Sequence, residues 1–185
     1  MKTSKNPPPV APRYPSEWER DAVTRDGVAY RIRPIRPDDE RRDHEFIVRL
    51  SPESRYRRML CVIKEPSPQL LHSFVHVDYQ RDMAFVALTG TSPNDEIIGV
   101  ARYSQDRTGP DCEFAVAVAD AWQGRGVGAN LTRLLFEYAH QQGIHRIYGD
   151  ILADNRQMIE LVHWLGMNTR LCPEDPTLVE ASSSP

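Results

Sequence analysis

The stretch Gln123-Gly124-Arg125-Gly126-Val127-Gly128 decides how this chain is read. It stands between an apolar, strand-like run, Cys112 to Ala119, and a strongly periodic segment. In that segment Val127, Leu131, Leu134, Leu135, Tyr138 and Ala139 fall at offsets 0, 4, 7, 8, 11 and 12, which is one apolar helix face. Three glycines in five positions strip side chains from the loop, so its N–H groups can turn toward one point. A helix N-terminus follows at once, with unpaired N–H groups and the positive end of its dipole. Together these parts make a cradle for a phosphate group.

Working outward, Gly143 stops the helix and Arg146 to Leu152 reads as the next strand. Asp154 or Asn155 caps a last helix with Met158, Leu161, Val162 and Leu165 facing inward, and Gly166 ends it. Asn168–Leu171 and Thr177–Glu180 suit two short closing strands. Upstream, Met83–Leu88 and Ile97–Tyr103 are β-rich, and the turn Thr108-Gly109-Pro110-Asp111 predicts a hairpin with Cys112–Ala119. Val28–Arg33 alternates apolar and polar residues as a half-buried strand does. Pro37 opens a helix reaching about Leu50, with Phe46, Ile47 and Leu50 on one face. Ser51-Pro52-Glu53 starts a second helix, and Pro68–His76 a third. This order predicts a mixed α/β layer architecture. Residues 1–26, with five prolines, read as a flexible arm, from which Trp18 can pin part of the arm to the domain. The domain is expected over 27–180, and 181–185 as a disordered tail.

The bulk properties exclude several classes. A length of 185 residues suits one domain with a real core. A net charge of −3 argues against a nucleic-acid binder working by bulk positive charge. Cys61, Cys112 and Cys172 are scattered and form no CxxC, as in a protein of the reducing cytoplasm. No apolar run is long enough for a bilayer, and Pro7-Pro8-Pro9 replaces the apolar core of a signal peptide, so a cytoplasmic location without a membrane partner is expected. His72 and His76 stand four apart, but no third ligand lies in sequence reach, so no metal is expected.

Three readings of the glycine loop compete. Gly124, Gly126 and Ala129 loosely match a dinucleotide fingerprint, with Asp150 at about the right remove. Too little chain follows Asp150 to complete a fold of two βαβαβ halves. A P-loop is excluded because no Gly-Lys-Ser/Thr follows. A tight turn without a ligand needs fewer glycines. A phosphate-bearing ligand of another class remains.

Gln-x-x-Gly-x-Gly between a strand and a long helix, followed by a strand–Asn–helix unit, resembles the acyl-CoA-binding motif of the GNAT N-acetyltransferases. Gln123, Gly126 and Gly128 fill the motif positions. The resemblance covers about residues 28–180 and implies a central, mostly antiparallel sheet flanked by helices. It implies that the amides of Gly124, Arg125, Gly126, Val127 and Gly128 hold the pyrophosphate of acetyl-CoA. It further implies that the strand around Val116 and Val118 pairs with the pantetheine arm and that Asn155 contacts the co-substrate. Arg31–Glu40 and Leu50–Tyr56 resemble the acetyltransferase domain of bacterial protein-lysine acetyltransferases acting on acyl-CoA synthetases. Many relatives fuse that domain to a synthetase-like regulatory domain, for which this chain has no room.

Acetyl transfer to an amine requires a base, because a lysine ammonium of pKa ~10.4 cannot attack before losing a proton. Glu113 is the one charge on its strand face, among Ala115, Ala117 and Ala119, and is the expected base; the resemblance agrees. The competing reading is an exposed Glu paired with an Arg. The Tyr that many of the family carry seven residues after the Asn is Val162 here, leaving Tyr148 and Tyr103 as substitutes for a general acid. Arg55, Arg57 and Arg58 read either as a docking run for an acidic protein surface or as a solvated helix face. The expected activity is transfer of acetyl from acetyl-CoA to a primary amine, with a protein lysine as acceptor. A small-molecule amine acceptor and a non-catalytic acyl-CoA sensor are the alternatives, and a homodimer stays open.

Overall fold

A computed structural model describes residues 12–62, 64–92, 94–106 and 109–183. Residues 1–11 of the predicted flexible arm lie outside them. Among the described residues, strands β1 (Arg20–Val23), β2 (Ala29–Pro34), β3 (Asp82–Thr89), β4 (Glu96–Gln105), β5 (Cys112–Val118), β6 (Ile147–Leu152), β7 (Asn168–Leu171) and β8 (Leu178–Ser182) form one sheet. Its order is β1-β2-β3-β4-β5-β6-β8-β7. Every pairing is antiparallel except that of β5 with β6. Helices α1 (Glu40–Arg49), α2 (Pro52–Met59) and α3 (Pro68–Val75) follow β2, α4 (Val127–Gln141) follows the glycine loop, and α5 (Arg156–Trp164) follows β6. Among the described residues, no helix is long and apolar enough to cross a membrane.

The local signals act as their chemistry dictates. The Ser51 and Ser67 hydroxyls cap α2 and α3 by accepting from the N–H groups of Ser54 and Leu70, with proline in the first turn of each. The apolar face of α4 is buried from Val127 to Ala139. It packs on β3, β4 and β5, and Gly99 of β4 lies so close that an added Cβ would stand 2.9 Å from Leu131 Cδ1. The other face of the sheet carries α1–α3. There the Arg102 guanidinium of β4 lies 4.0 Å from the ring centroid of Phe74 on α3. Arg33 and Asp39 are buried together and joined by two 2.6 Å hydrogen bonds, so neither charge is left uncompensated.

Two domain limits drawn from the sequence differ from the structure. The expected arm contains β1, and Trp18 ahead of it is 7% exposed, packed edge-on to Tyr138 with centroids 5.0 Å apart. Arg20-Asp21-Ala22-Val23 shows no apolar alternation because it is an edge strand exposed along most of its length, held by backbone pairing to β2. The expected tail begins at 181, yet Ala181 is fully buried opposite Gly149, and β8 runs to Ser182. Residues 184–185 lie outside the described residues.

Candidate functional site

The sheet opens at one place. β5 pairs with β6 only at Cys112–Ile147 and Glu113–Tyr148, whereas it stays paired with β4 as far as Val118. Beyond Glu113 the β6-facing edge of β5 has no strand partner, so its backbone groups face the gap. Gly149 sets this fork: a Cβ there would stand 2.8 Å from Phe114 O and 2.9 Å from its ring. Only glycine lets the two strands come so close before they part.

The glycine loop stands at the end of the open edge. Gly124 and Gly126 take φ of +71° and +93°, a left-handed conformation that side chains disfavour. Gly126 is the N-cap of α4 and has no side chain to satisfy the helix's first N–H groups. Gln123 donates from Nε2 to Val118 O at 3.0 Å and to Ser54 Oγ at 3.1 Å, bracing the loop against β5 and α2. Asp120 accepts from Ser51 N, Ser51 Oγ and Ser54 Oγ at 2.7–2.9 Å. Partial burial raises its pKa, but these hydrogen bonds outweigh that effect and hold it below the usual range.

Gap and loop together form a cavity of about 840 Å³. Glu113, Val116, Val118, Gln123, Gly124, Arg125, Gly126, Gly128 and Asn155 all line it. Val127 does not: its side chain is fully buried in the core, which leaves only its backbone N–H to act. Asn155 caps α5 by accepting from Met158 N at 3.2 Å, so its oxygen is engaged and its Nδ2 group remains as donor. Arg125 lies over the Trp122 ring at 4.4 Å and is paired with Asp26 by hydrogen bonds of 2.6 and 3.0 Å.

Glu113 projects from the fork, on the sheet face that carries α1–α3. Desolvation by the cavity walls and then the Asp150 carboxylate raise its pKa, while Arg58 opposes them. Arg58 lines the same cavity, and its own pKa falls to about 10 through burial and then the nearby Arg102. The basic run is therefore not one solvated face. Arg55 donates to the carbonyls of Val48, Leu50 and Lys64, Arg57 pairs with Glu53 at 2.6 Å, and Arg58 borders the site.

Neither substitute tyrosine lines the cavity. Tyr148 donates to Asp106 at 2.9 Å and its pKa is pushed up to about 12 by burial and that hydrogen bond. Tyr103 is buried and donates to Gln80 O. Val162, at the family's tyrosine position, is fully buried.

Several lining residues escaped the sequence reading, and one of them bears directly on the glycine loop. Arg25, in the turn between β1 and β2, lies across the loop: its Cγ would be 3.6 Å from a Cβ on Gly126. Its backbone N–H donates to Arg125 O at 3.0 Å, and the adjacent Asp26 holds the Arg125 side chain. The Arg25 side chain is exposed, with its charge directed to no carboxylate among the described residues. Only a strand assignment for 20–23 would have revealed it.

Glycine loop, open strand edge and a carboxylate of raised pKa fit a phosphate-bearing ligand with an extended arm, and the comparisons with known proteins agree. The sequence model of the Acetyltransferase (GNAT) family matches residues 57–167. An acetyltransferase of Pseudomonas aeruginosa is 41% identical over 154 residues, 83% of each chain. Acetyltransferase Pat of Mycolicibacterium smegmatis is 32% identical over 143 residues, 77% of this chain but 42% of its own length. The crystal structure of the GNAT domain of S. lividans PAT superposes with a TM-score of 0.84 at 31% identity, covering 92% of this chain and 99% of that domain. Motif, sheet topology and relatives converge, and the chain belongs to the GNAT family of acetyltransferases.

Proposed function

We propose that the protein transfers an acetyl group from acetyl-CoA to a primary amine of a protein lysine, with Glu113 as general base. The observation that carries this reading is the position of Glu113. Its carboxylate stands where β5 leaves β6, in the wall of the cavity that the glycine loop closes at its far end. The residues fit acetyl-CoA. Unpaired amides at Gly126–Gly128 suit the pyrophosphate, the open β5 edge at Val116 and Val118 suits the amides of the pantetheine arm, and the Asn155 Nδ2 group donates from the opposite wall.

Glu113 takes the proton of the acceptor ammonium, directly or through one water. The freed nitrogen bonds to the acetyl carbon as the carbon–sulfur bond breaks, and the second proton that the nitrogen then sheds goes to the departing thiolate. No tyrosine is on hand for that last step, and a thiol of pKa about 8.5 leaves with little help. The raised pKa of Glu113 suits a base that must accept a proton near neutral pH and release it again.

A protein acceptor is favoured by the mouth of the cavity. Met59, Leu60 and Trp164 line the cavity, and Trp164 is 67% exposed, so apolar side chains are on offer that a protein surface can cover and a small polar amine does not require. Incubation with labelled acetyl-CoA and a panel of acyl-CoA synthetases, lysine peptides and free amines tests the acceptor. Label on protein lysines is expected. Label confined to free amines removes the protein acceptor, and tight binding without any label removes catalysis.

A further inference from the structure

A second group of chemically apt side chains lies away from the transfer site, among Glu40, His72 and His76. His72 lies in α3 and His76 is its C-cap, while Glu40 opens α1, so the chain brings the three together only by packing α1 on α3. One ligand atom from each lies within 4.8 Å of the other two. The imidazole rings are stacked with centroids 3.6 Å apart, and His72 Nδ1 is 3.7 Å from Glu40 Oε2. His76 Nδ1 is 3.0 Å from His72 O. A carbonyl can only accept, so Nδ1 carries the hydrogen and Nε2 keeps its lone pair for a ligand. A ring nitrogen fixed by a backbone carbonyl in this way is the usual support of a metal-bound histidine.

We propose that Glu40, His72 and His76 bind one divalent transition-metal ion, Zn²⁺ in first place, in a surface site that joins α1 to α3. Two imidazole nitrogens and one carboxylate oxygen suit Zn²⁺, Ni²⁺ or Cu²⁺. They do not suit Ca²⁺ or Mg²⁺, which take sets of oxygen ligands. The His72 and Glu40 side chains are 63% and 46% exposed, so an ion can enter and water can fill its remaining positions. Because the three residues are neighbours only in the folded chain, the ion binds that state preferentially and stabilises it.

The test uses the full chain without an affinity tag, stripped by chelator and carrying Cys61→Ser to remove an exposed thiol ligand. Calorimetric titration with ZnCl₂ should show one ion per chain, and ZnCl₂ should raise Tm. Glu40→Gln, His72→Gln and His76→Gln should each weaken binding about tenfold or more, a scale that even outer-shell changes reach at metal sites. The double histidine variant should abolish the Tm rise while folding normally without metal. Absorption of the Co²⁺ form should show nitrogen and oxygen ligation. Absence of saturable binding, unchanged affinity in the double histidine variant, or thiolate bands in the Co²⁺ spectrum would each overturn the proposal.

Discussion

Glu113 and Arg25 show what single residues contribute. Glu113 is exposed at the fork, yet its surroundings raise its pKa through desolvation and the Asp150 carboxylate. In the proposed role of base it would work only when ionised, so the rate should fall as pH drops through that raised value. Glu113→Gln should remove this dependence and lower kcat/KM at neutral pH by about 10²-fold or more. The deficit should shrink at high pH, where free amine is plentiful; an unchanged rate at pH 7 would remove Glu113 from the role. Arg25 has a different task. Its side chain stands over the glycine loop, and on the proposed role of that loop Arg25→Ala should raise KM for acetyl-CoA about tenfold with kcat little changed, the size of one charge-assisted hydrogen bond. Steady-state kinetics with acetyl-CoA varied would read it, and an unchanged KM would assign Arg25 to the surface. Glu113 could be read from strand alternation, because the period of two is local. Arg25 could not, because its relation to the loop is made by a hairpin turn meeting a segment far along the chain.

At the level of elements, the fork between β5 and β6 rests on Gly149. Gly149→Ala would force a Cβ into the Phe114 carbonyl and ring, and backbone cannot give way cheaply. A loss of about 1–3 kcal/mol is expected from such overpacking, read as a lower denaturation midpoint. The same shift would move the open edge of β5, so KM for acetyl-CoA should rise with it. A variant of unchanged midpoint and KM would show that the fork is soft. The glycine loop was legible as an element because its glycines serve backbone geometry, and Gly124 and Gly126 both take left-handed φ. Gly149 gave no such signal. Its φ is ordinary, and what it accommodates is the neighbouring strand. Edge strand β1 was illegible for a related reason: charged and exposed, it is specified by its pairing with β2 rather than by a pattern of its own.

For the whole molecule, the N-terminal segment and the glycine loop are one structure. Trp18 is buried against Phe85 and Tyr138, β1 completes the sheet edge, and the turn after it clasps the glycine loop through Asp26 and Arg125. Trp18→Ala should cost about 3–5 kcal/mol, seen as a lower Tm, and a wild-type Tm would show that the segment is dispensable. Acetyl-CoA at 100 times its Kd should stabilise the protein by about 2.7 kcal/mol, while NAD should leave Tm unchanged. Stabilisation by NAD alone would contradict the assignment of the loop.

The sequence by itself determined the glycine loop, the helices, most strands and the family, because glycine conformation, capping and apolar periodicity act over a few residues. The tertiary structure decided the rest. It alone placed Asp150 and Arg58 around Glu113, Arg25 over Gly126, and Glu40 beside the two histidines. Those are encounters between residues distant in the chain, and they exist only once the sheet order and the helix packing are set.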